Sequence, residues 1–198
     1  MKGAKVTPLR RVAGHAEEFS DEALLAACAL GDSAAMSALI DRFQAPVYRF
    51  VSRLLSSDGA DRDDVVQGTF VEVARCAAKF RAASKVQVWI FGIAANIARN
   101  HIRGAVRRRR METALVSVPS LHSIRPDDEV QRKQLLAQLG AALAGLPHEL
   151  REAFVLCDLE QVSGRDAASS LGVREGTVWR RVHEARKALR AALDGGLG

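Results

Sequence analysis

The sequence predicts an all-α protein made of two small helical domains joined by a flexible linker. Three observations carry that expectation. Ala and Leu abound while aromatic residues are 5% of the 198 residues, a balance that favours helices over strands. Apolar residues recur every three or four positions in two separate blocks. No segment alternates cleanly as a half-buried strand does, and no internal repeat is visible. A content of 48% hydrophobic and 26% charged residues fits a folded chain.

The elements follow in order. Residues 1–19 are basic, hold Pro8 and Gly14, and lack periodicity, so they read as a mobile tail. Ser20 is placed to cap a first helix whose opening turn carries Asp21 and Glu22, with Leu24, Ala27 and Cys28 as its apolar stripe and Gly31 as its stop. A second helix starts near Asp32 or Ser33 and shows Met36, Leu39, Ile40, Phe43, Val47, Phe50 and Leu54 at helical spacing, with a kink expected at Pro46. A third begins at Asp61, with Asp64 completing a capping box, and buries Val65, Val66, Phe70 and Val73. After a polar loop from Arg81 to Lys85, a fourth helix places Trp89, Ile93, Ile97 and Ile102 on one face and ends in arginines.

From Met111 the period is lost. Residues 111–129 form the expected linker, long enough to mark a domain boundary. Helical pattern resumes with Leu135, Leu136, Leu139, Leu143 and Leu146, and Pro147 suits the first turn of a new helix whose face is Leu150, Ala153, Phe154 and Cys157. The predicted domains are therefore 20–110 and 130–194.

Charge narrows the class of partner. Lys and Arg number 29 against 23 Asp and Glu, a net charge of +6, which favours a polyanion. Cys28, Cys76 and Cys157 are far apart, so neither a disulfide framework nor a zinc knuckle is spaced into the chain; they read as small buried hydrophobes of a reducing cytoplasm. The amino terminus lacks an apolar signal core, and the longest apolar stretch, 88–95, is far short of the roughly 20 residues a membrane span needs. No stable membrane insertion and a cytoplasmic location are expected.

Two constellations point to nucleic acid. The first is carboxy-terminal. Ser163 to Asp166 reads as a capping box, Leu171-Gly172-Val173 as a tight turn, and 174–193 as a longer helix with Val178, Val182, Ala185 and Leu189 inward. Its outward face carries Trp179, Arg180, His183, Arg186, Lys187 and Arg190. Helix, glycine turn and basic helix is the helix-turn-helix order, whose second helix enters a major groove. The competing reading is an ordinary amphipathic helix with a solvated charged face.

The second constellation is the run 99–110, with six arginines and no acid, which offers salt-sensitive phosphate contacts. Trp89, Phe91, Asn96 and the loop before them lie just upstream, where aromatic and amide groups can hold an unstacked base. For the two rings, a place in the core is the favoured alternative. The cluster Asp58, Asp61, Asp63 and Asp64 does not match a calcium loop and is read as caps or a protein contact. The sequence contains no GxxxxGK[ST], GxSxG or HExxH, so no enzyme, metal or cofactor is expected.

With these residues in view, the chain resembles the extracytoplasmic-function (ECF) sigma factors of bacterial RNA polymerase over about residues 20–110 and 130–193. The matching pieces are Gly31-Asp32, Asp64-Val65-Val66-Gln67 with Thr69-Phe70, Phe80-Arg81, the stretch Trp89 to Asn96, Leu143 to Pro147 with Arg151-Glu152, Gly176-Thr177-Val178, and Arg181 to Leu189. The resemblance implies a first block like sigma domain 2 and a second like sigma domain 4. It implies core polymerase binding through Asp64, Gln67, Phe70 and Arg75. It implies contact with the −10 element through Arg81, Ser84, Lys85, Asn96, Arg99 and Arg103. It implies contact with the −35 element through Arg165, Thr177, Trp179, Arg180, His183 and Glu184. Partners implied are core RNA polymerase, promoter DNA as −35 duplex and −10 single strand, and an anti-sigma factor.

The sequence departs from the family pattern at Gly68, at Ala95, at Gly164-Arg165-Asp166-Ala167, and at Trp179 and Glu184. The second class weighed is an autonomous helix-turn-helix regulator binding duplex DNA as a dimer, for which no heptad seam is seen. A third, a nucleic-acid-processing enzyme, needs metal-ligand carboxylates converging near the arginine run.

Overall fold

The computed structural model describes residues 19–55, 59–82, 84–111 and 138–194. The greater part of the expected tail and linker, and Asp58 of the acidic cluster, lie outside them, as do the side chains of the arginines at 107–110.

Every described element is helical. The first block holds α1 (Asp21–Ala29), α2 (Ser33–Leu54), α3 (Gly59–Cys76), a single 3₁₀ turn (Ala77–Lys79) and α4 (Val86–Met111). The second holds α5 (138–145), α6 (His148–Phe154), a wide π turn (Val155–Leu159), α7 (Gly164–Leu171) and α8 (Glu175–Asp194).

The helix starts are set by short polar side chains. Ser20 Oγ accepts from the Ala23 amide at 3.1 Å, and one Asp32 oxygen accepts from the Ala34 and Ala35 amides at 2.8 and 3.0 Å. Ser163 Oγ accepts from the Asp166 amide at 3.1 Å and donates to the Asp166 carboxylate at 2.8 Å. Gly31 follows α1 at φ +84° and Gly172 caps α7 at φ +65°, left-handed values that cost glycine nothing. Helix α2 continues through Pro46 as one element. One expectation needs correction: α3 starts two residues before Asp61, so Asp61 lies within the first turn and not at the cap.

The core forms around α2 and α4. Phe50 stacks on Phe91 with ring centroids 4.4 Å apart, and both rings are buried, as are Leu39, Val47, Leu54, Val65, Val73, Ile90 and Ala94. Each such large side chain contributes about 1.5–3 kcal/mol by leaving water. The four residues expected inward on α3 are all buried. On α4 the expected stripe is only partly buried, and Val86, Val88, Ile90, Phe91, Ala94, Ala95 and Ala98 form the buried set instead. The reason is tertiary: α4 is packed by α2, α3 and α7 at once, so no single face of it is the inner one.

The second block joins the same core. Ala153, Val155, Leu156, Ala167, Leu171, Val178 and Val182 belong to one continuous apolar cluster with the first block, while Leu143, Leu146, Ala185 and Leu189 make a smaller cluster of their own. The two predicted domains are thus packed against each other.

Candidate nucleic-acid interface

Helix α8 presents its basic face as the sequence implied. Val178, Val182, Ala185 and Leu189 are buried, which turns Arg180, His183, Glu184, Arg186, Lys187 and Arg190 outward. Arg165 is exposed at the start of α7, and Thr177 is half-buried in the first turn of α8. Some of the cations are already engaged. Arg180 donates to Glu184 one turn on at 3.1 Å, and Arg186 forks both oxygens of Asp158 at 2.6 and 2.8 Å. Asp158 reaches it because the π turn adds a residue to the helical phase and swings that side chain towards α8. Arg186 is thereby spoken for within its own block.

Trp179 is 47% exposed. Its indole lies over the first residue of α7, where a Cβ on Gly164 would sit 2.6 Å from the ring, and its Nε1 donates to Glu175 at 3.3 Å. Two of the departures from the family pattern therefore explain each other: the missing side chain at Gly164 makes the room that Trp179 fills.

On the first block a cavity of about 700 Å³ opens between α3, α4 and α7. Ser84, Trp89, Asn96 and Asn100 line it from the α4 side, Arg75 and Lys79 add positive charge, partly offset by Glu72, which pairs with Arg75, and Ser169 and Ser170 of α7 form the opposite wall. Trp89 is half-buried, edge-on to Phe80 at 5.4 Å, whereas Phe91 is wholly in the core. Of the residues implied for the −10 element, Ser84 and Asn96 meet in this cavity. Arg81, Lys85 and Arg103 are exposed but do not line it.

Arg99 points elsewhere. Its Nη2 donates to both oxygens of Glu152 on α6, at 3.1 and 2.9 Å, and Glu152 is fully buried. His148 Nε2 lies 2.9 Å from the same carboxylate. Burial alone would push the Glu152 carboxyl up; the hydrogen bonds and charges of His148 and Arg99 outweigh it and hold the group below the usual carboxylate range. Other ties run beside this one. Arg53 at the end of α2 pairs with Glu160, Arg151 Nη1 donates to the Leu54 carbonyl at 2.7 Å, and Ser170 Oγ donates to the Val88 carbonyl at 3.1 Å. Apart from Arg99, none of these residues was singled out as a site by sequence. Arg151 and Glu152 were quoted only as a motif, because apolar periodicity reads charged residues as solvent-facing.

The residues implied for polymerase binding divide. A shallow groove between α2 and α3 is lined by Met36, Ile40, Val66, Gln67, Phe70 and Val71, the last 61% exposed. Gln67 and Phe70 meet there, Phe70 largely buried. Asp64 is exposed on α3 outside the groove. Arg75 lies on the other side, in the cavity with Asn96, 3.2 Å from Glu72. Among the described residues no group of His, Cys, Asp and Glu is placed to hold a metal ion, and no helix is long and apolar enough to cross a membrane.

These surfaces fall within two matched families. Residues 39–108 match the model of Sigma-70 region 2, and residues 136–189 that of Sigma-70, region 4. The chain is 34% identical over 172 residues to the ECF RNA polymerase sigma factor SigC of Mycobacterium tuberculosis, covering 87% of this chain and 90% of that protein. It is 34% identical over 170 residues to the ECF RNA polymerase sigma factor SigE of Mycolicibacterium smegmatis, covering 83% of this chain and 65% of that longer relative. In three dimensions it is similar to the sigma factor RpoE of Bartonella quintana, solved in complex with the anti-sigma factor NepR, with a TM-score of 0.63 at 25% identity over 78% of this chain and 94% of that one. The chain belongs to the ECF sigma factors of RNA polymerase.

Proposed function

We propose that this chain binds core RNA polymerase, directs it to promoters and opens the −10 element, with no catalytic chemistry of its own. Residues 20–110 act as the −10 and polymerase-binding domain, 130–194 as the −35 domain, and 111–129 as the connection between them. The observation that carries this reading is the cavity beside α4. Amides, a serine hydroxyl and a half-buried indole line it, with cations at its edge. Such a lining suits an unstacked base, and its cationic rim suits the phosphates beside that base. Flipping a base costs a few kcal/mol, which stacking and phosphate contacts offset.

The roles divide accordingly. Ser84 and Asn96 hold the base, and Arg81, Lys85, Arg99 and Arg103 take the strand's phosphates. Arg165, Thr177, Trp179, Arg180, His183 and Glu184 meet the −35 duplex, where Glu184 is chemically suited to accept from a cytosine amino group. The groove at Gln67 and Phe70, with Asp64 beside it, docks polymerase. Arg75, which shares the cavity with Asn96, is reassigned to the nucleic-acid side. A cytoplasmic location and an anti-sigma partner follow from the same reading, the latter supported by the complex in which the B. quintana relative was solved.

The test is run-off transcription with sigma-free core polymerase and a template carrying the DNA upstream of this protein's own gene. A transcript that requires this chain, and falls at least tenfold when Asn96→Ala and Arg180→Ala are combined, is the expected result. A chain that shifts the same duplex without polymerase and yields no transcript would transfer the case to the autonomous regulator.

A further inference from the structure

We propose that Trp179 is a fixed apolar finger that reads the 5-methyl group of a thymine in the −35 duplex, with Gly164 and Glu175 as the residues that position it. This rests on the reading of α8 as the −35 helix, and it adds the chemical group that one side chain of that helix selects.

The ring is held on two sides. A Cβ on Gly164 would lie 2.6 Å from Cε2 and Nε1 and 2.7 Å from Cζ2, so the N–H edge of the indole is seated on the first residue of α7. Any side chain at 164 would push it off that seat. Glu175, one turn earlier on α8, accepts the indole N–H at 3.3 Å. Ser163 fixes the floor beneath the ring, because its hydroxyl caps α7 through the Asp166 amide. An indole has only two side-chain torsions, and contacts with both helices of the helix-turn-helix hold them before DNA arrives.

Chemistry decides what the ring still offers. The N–H is its single polar group, a donor with no acceptor capacity, and that donor is already engaged by Glu175. Trp179 is 47% exposed, and what it exposes is therefore hydrocarbon. Among the described residues the other exposed large apolar side chains are Phe19, Leu30, Tyr48 and Val71, all in the first block. On α8 the neighbours that face outward with Trp179, Arg180 and Glu184 among them, carry charges suited to hydrogen-bonding base edges and phosphates.

The major groove displays donors, acceptors and one apolar group, the thymine methyl. Trp179 is the fifth residue of α8, in the amino-terminal half that a recognition helix brings to the bases. A hydrocarbon surface there either meets that methyl or strips water from a polar edge without replacing its hydrogen bonds. The methyl is the favourable partner. Burying it should change affinity about fourfold.

The test compares thymine with uracil, which differ in that methyl alone. The full chain with core polymerase selects bound duplexes from the DNA upstream of its own gene, with the −35 segment randomised. One pool is synthesised with thymine in that segment and a second with uracil. The native chain should enrich thymine at one position about fourfold more than it enriches uracil there. Trp179→Ala should erase that difference and keep the preferences at other positions. Gly164→Ala should reduce it by displacing the ring. Glu175→Gln keeps an acceptor for the indole N–H and should preserve it, whereas Glu175→Ala should reduce it. A merely structural or electrostatic role for Glu175 would instead change affinity for both pools alike. The comparison on the native chain needs no substitution, so it decides the matter even where a variant folds poorly. Equal enrichment of thymine and uracil at every position, or a difference that survives Trp179→Ala, overturns the proposal. If the native chain enriches no sequence in either pool, the −35 reading itself falls and the methyl contact falls with it.

Discussion

The two basic helices of this chain are built on one plan and used differently. Helix α8 satisfies Arg180 and Arg186 with acids of its own block and leaves its outward face open. Helix α4 sends Arg99 across the seam to a buried acid and lends its surface to the shared core. The outward basic face of α8 is thus exposed, whereas Arg99 of α4 is engaged by the second block.

The sharpest way to break this contrast is to remove the core on which α4 rests. Phe91→Ala deletes a ring stacked on Phe50 and should lower the stability of the fold by about 3–5 kcal/mol, read from urea unfolding. Lys187→Ala on α8 removes an exposed cation and no packing, so the urea midpoint should stay within experimental error.

Acid should act next in order of size, and only on the α4 side. Glu152 faces Arg99 and His148 and titrates below its unfolded value, which is about 4.3 for a glutamate. Its contribution is therefore present above that value and lost as pH falls through the lower folded one. The urea midpoint of the native chain should drop below about pH 4 more steeply than that of Glu152→Gln. Parallel curves would mean that the carboxylate contributes nothing to the contact between the blocks.

The helix-turn-helix supplies the smaller effects. Ser163→Ala removes the cap of α7 and should cost about 1 kcal/mol in the same unfolding measurement. Lys187→Ala should weaken binding of the polymerase complex to −35 duplexes of any sequence alike and reduce the salt dependence by about one ion, measured by titration across salt concentrations. A change in base preference at one position would instead make Lys187 a reader of sequence.

The same contrast governs what could be read from the residues alone. The inner face of α8 was legible because one side of that helix is apolar and the other charged, so spacing at Val178, Val182, Ala185 and Leu189 suffices. The inner face of α4 was not, because three helices surround it and its Val86, Ile90 and Ala94 are buried alongside Phe91 and Ala98. Resemblance named Ser84 and Asn96 for one promoter element, and the loop-and-helix order brings them to one cavity. Glu152 was illegible as a contact between the two blocks. A charged residue beside an apolar stripe looks solvated until the arginine that meets it, 53 positions away, is brought into contact. Arg75 shows that one helix serves two surfaces: it lines the cavity with Asn96, away from the groove at Gln67 and Phe70.

The most direct test of this account, in which the second block packs on α4, is a distance between the blocks. Spin labels at Arg49→Cys on α2 and Ala188→Cys on α8, both exposed positions, are read in the full chain with Cys76→Ser by double electron–electron resonance. The free chain should give one narrow, short distance. A broad distribution in the free chain would contradict it.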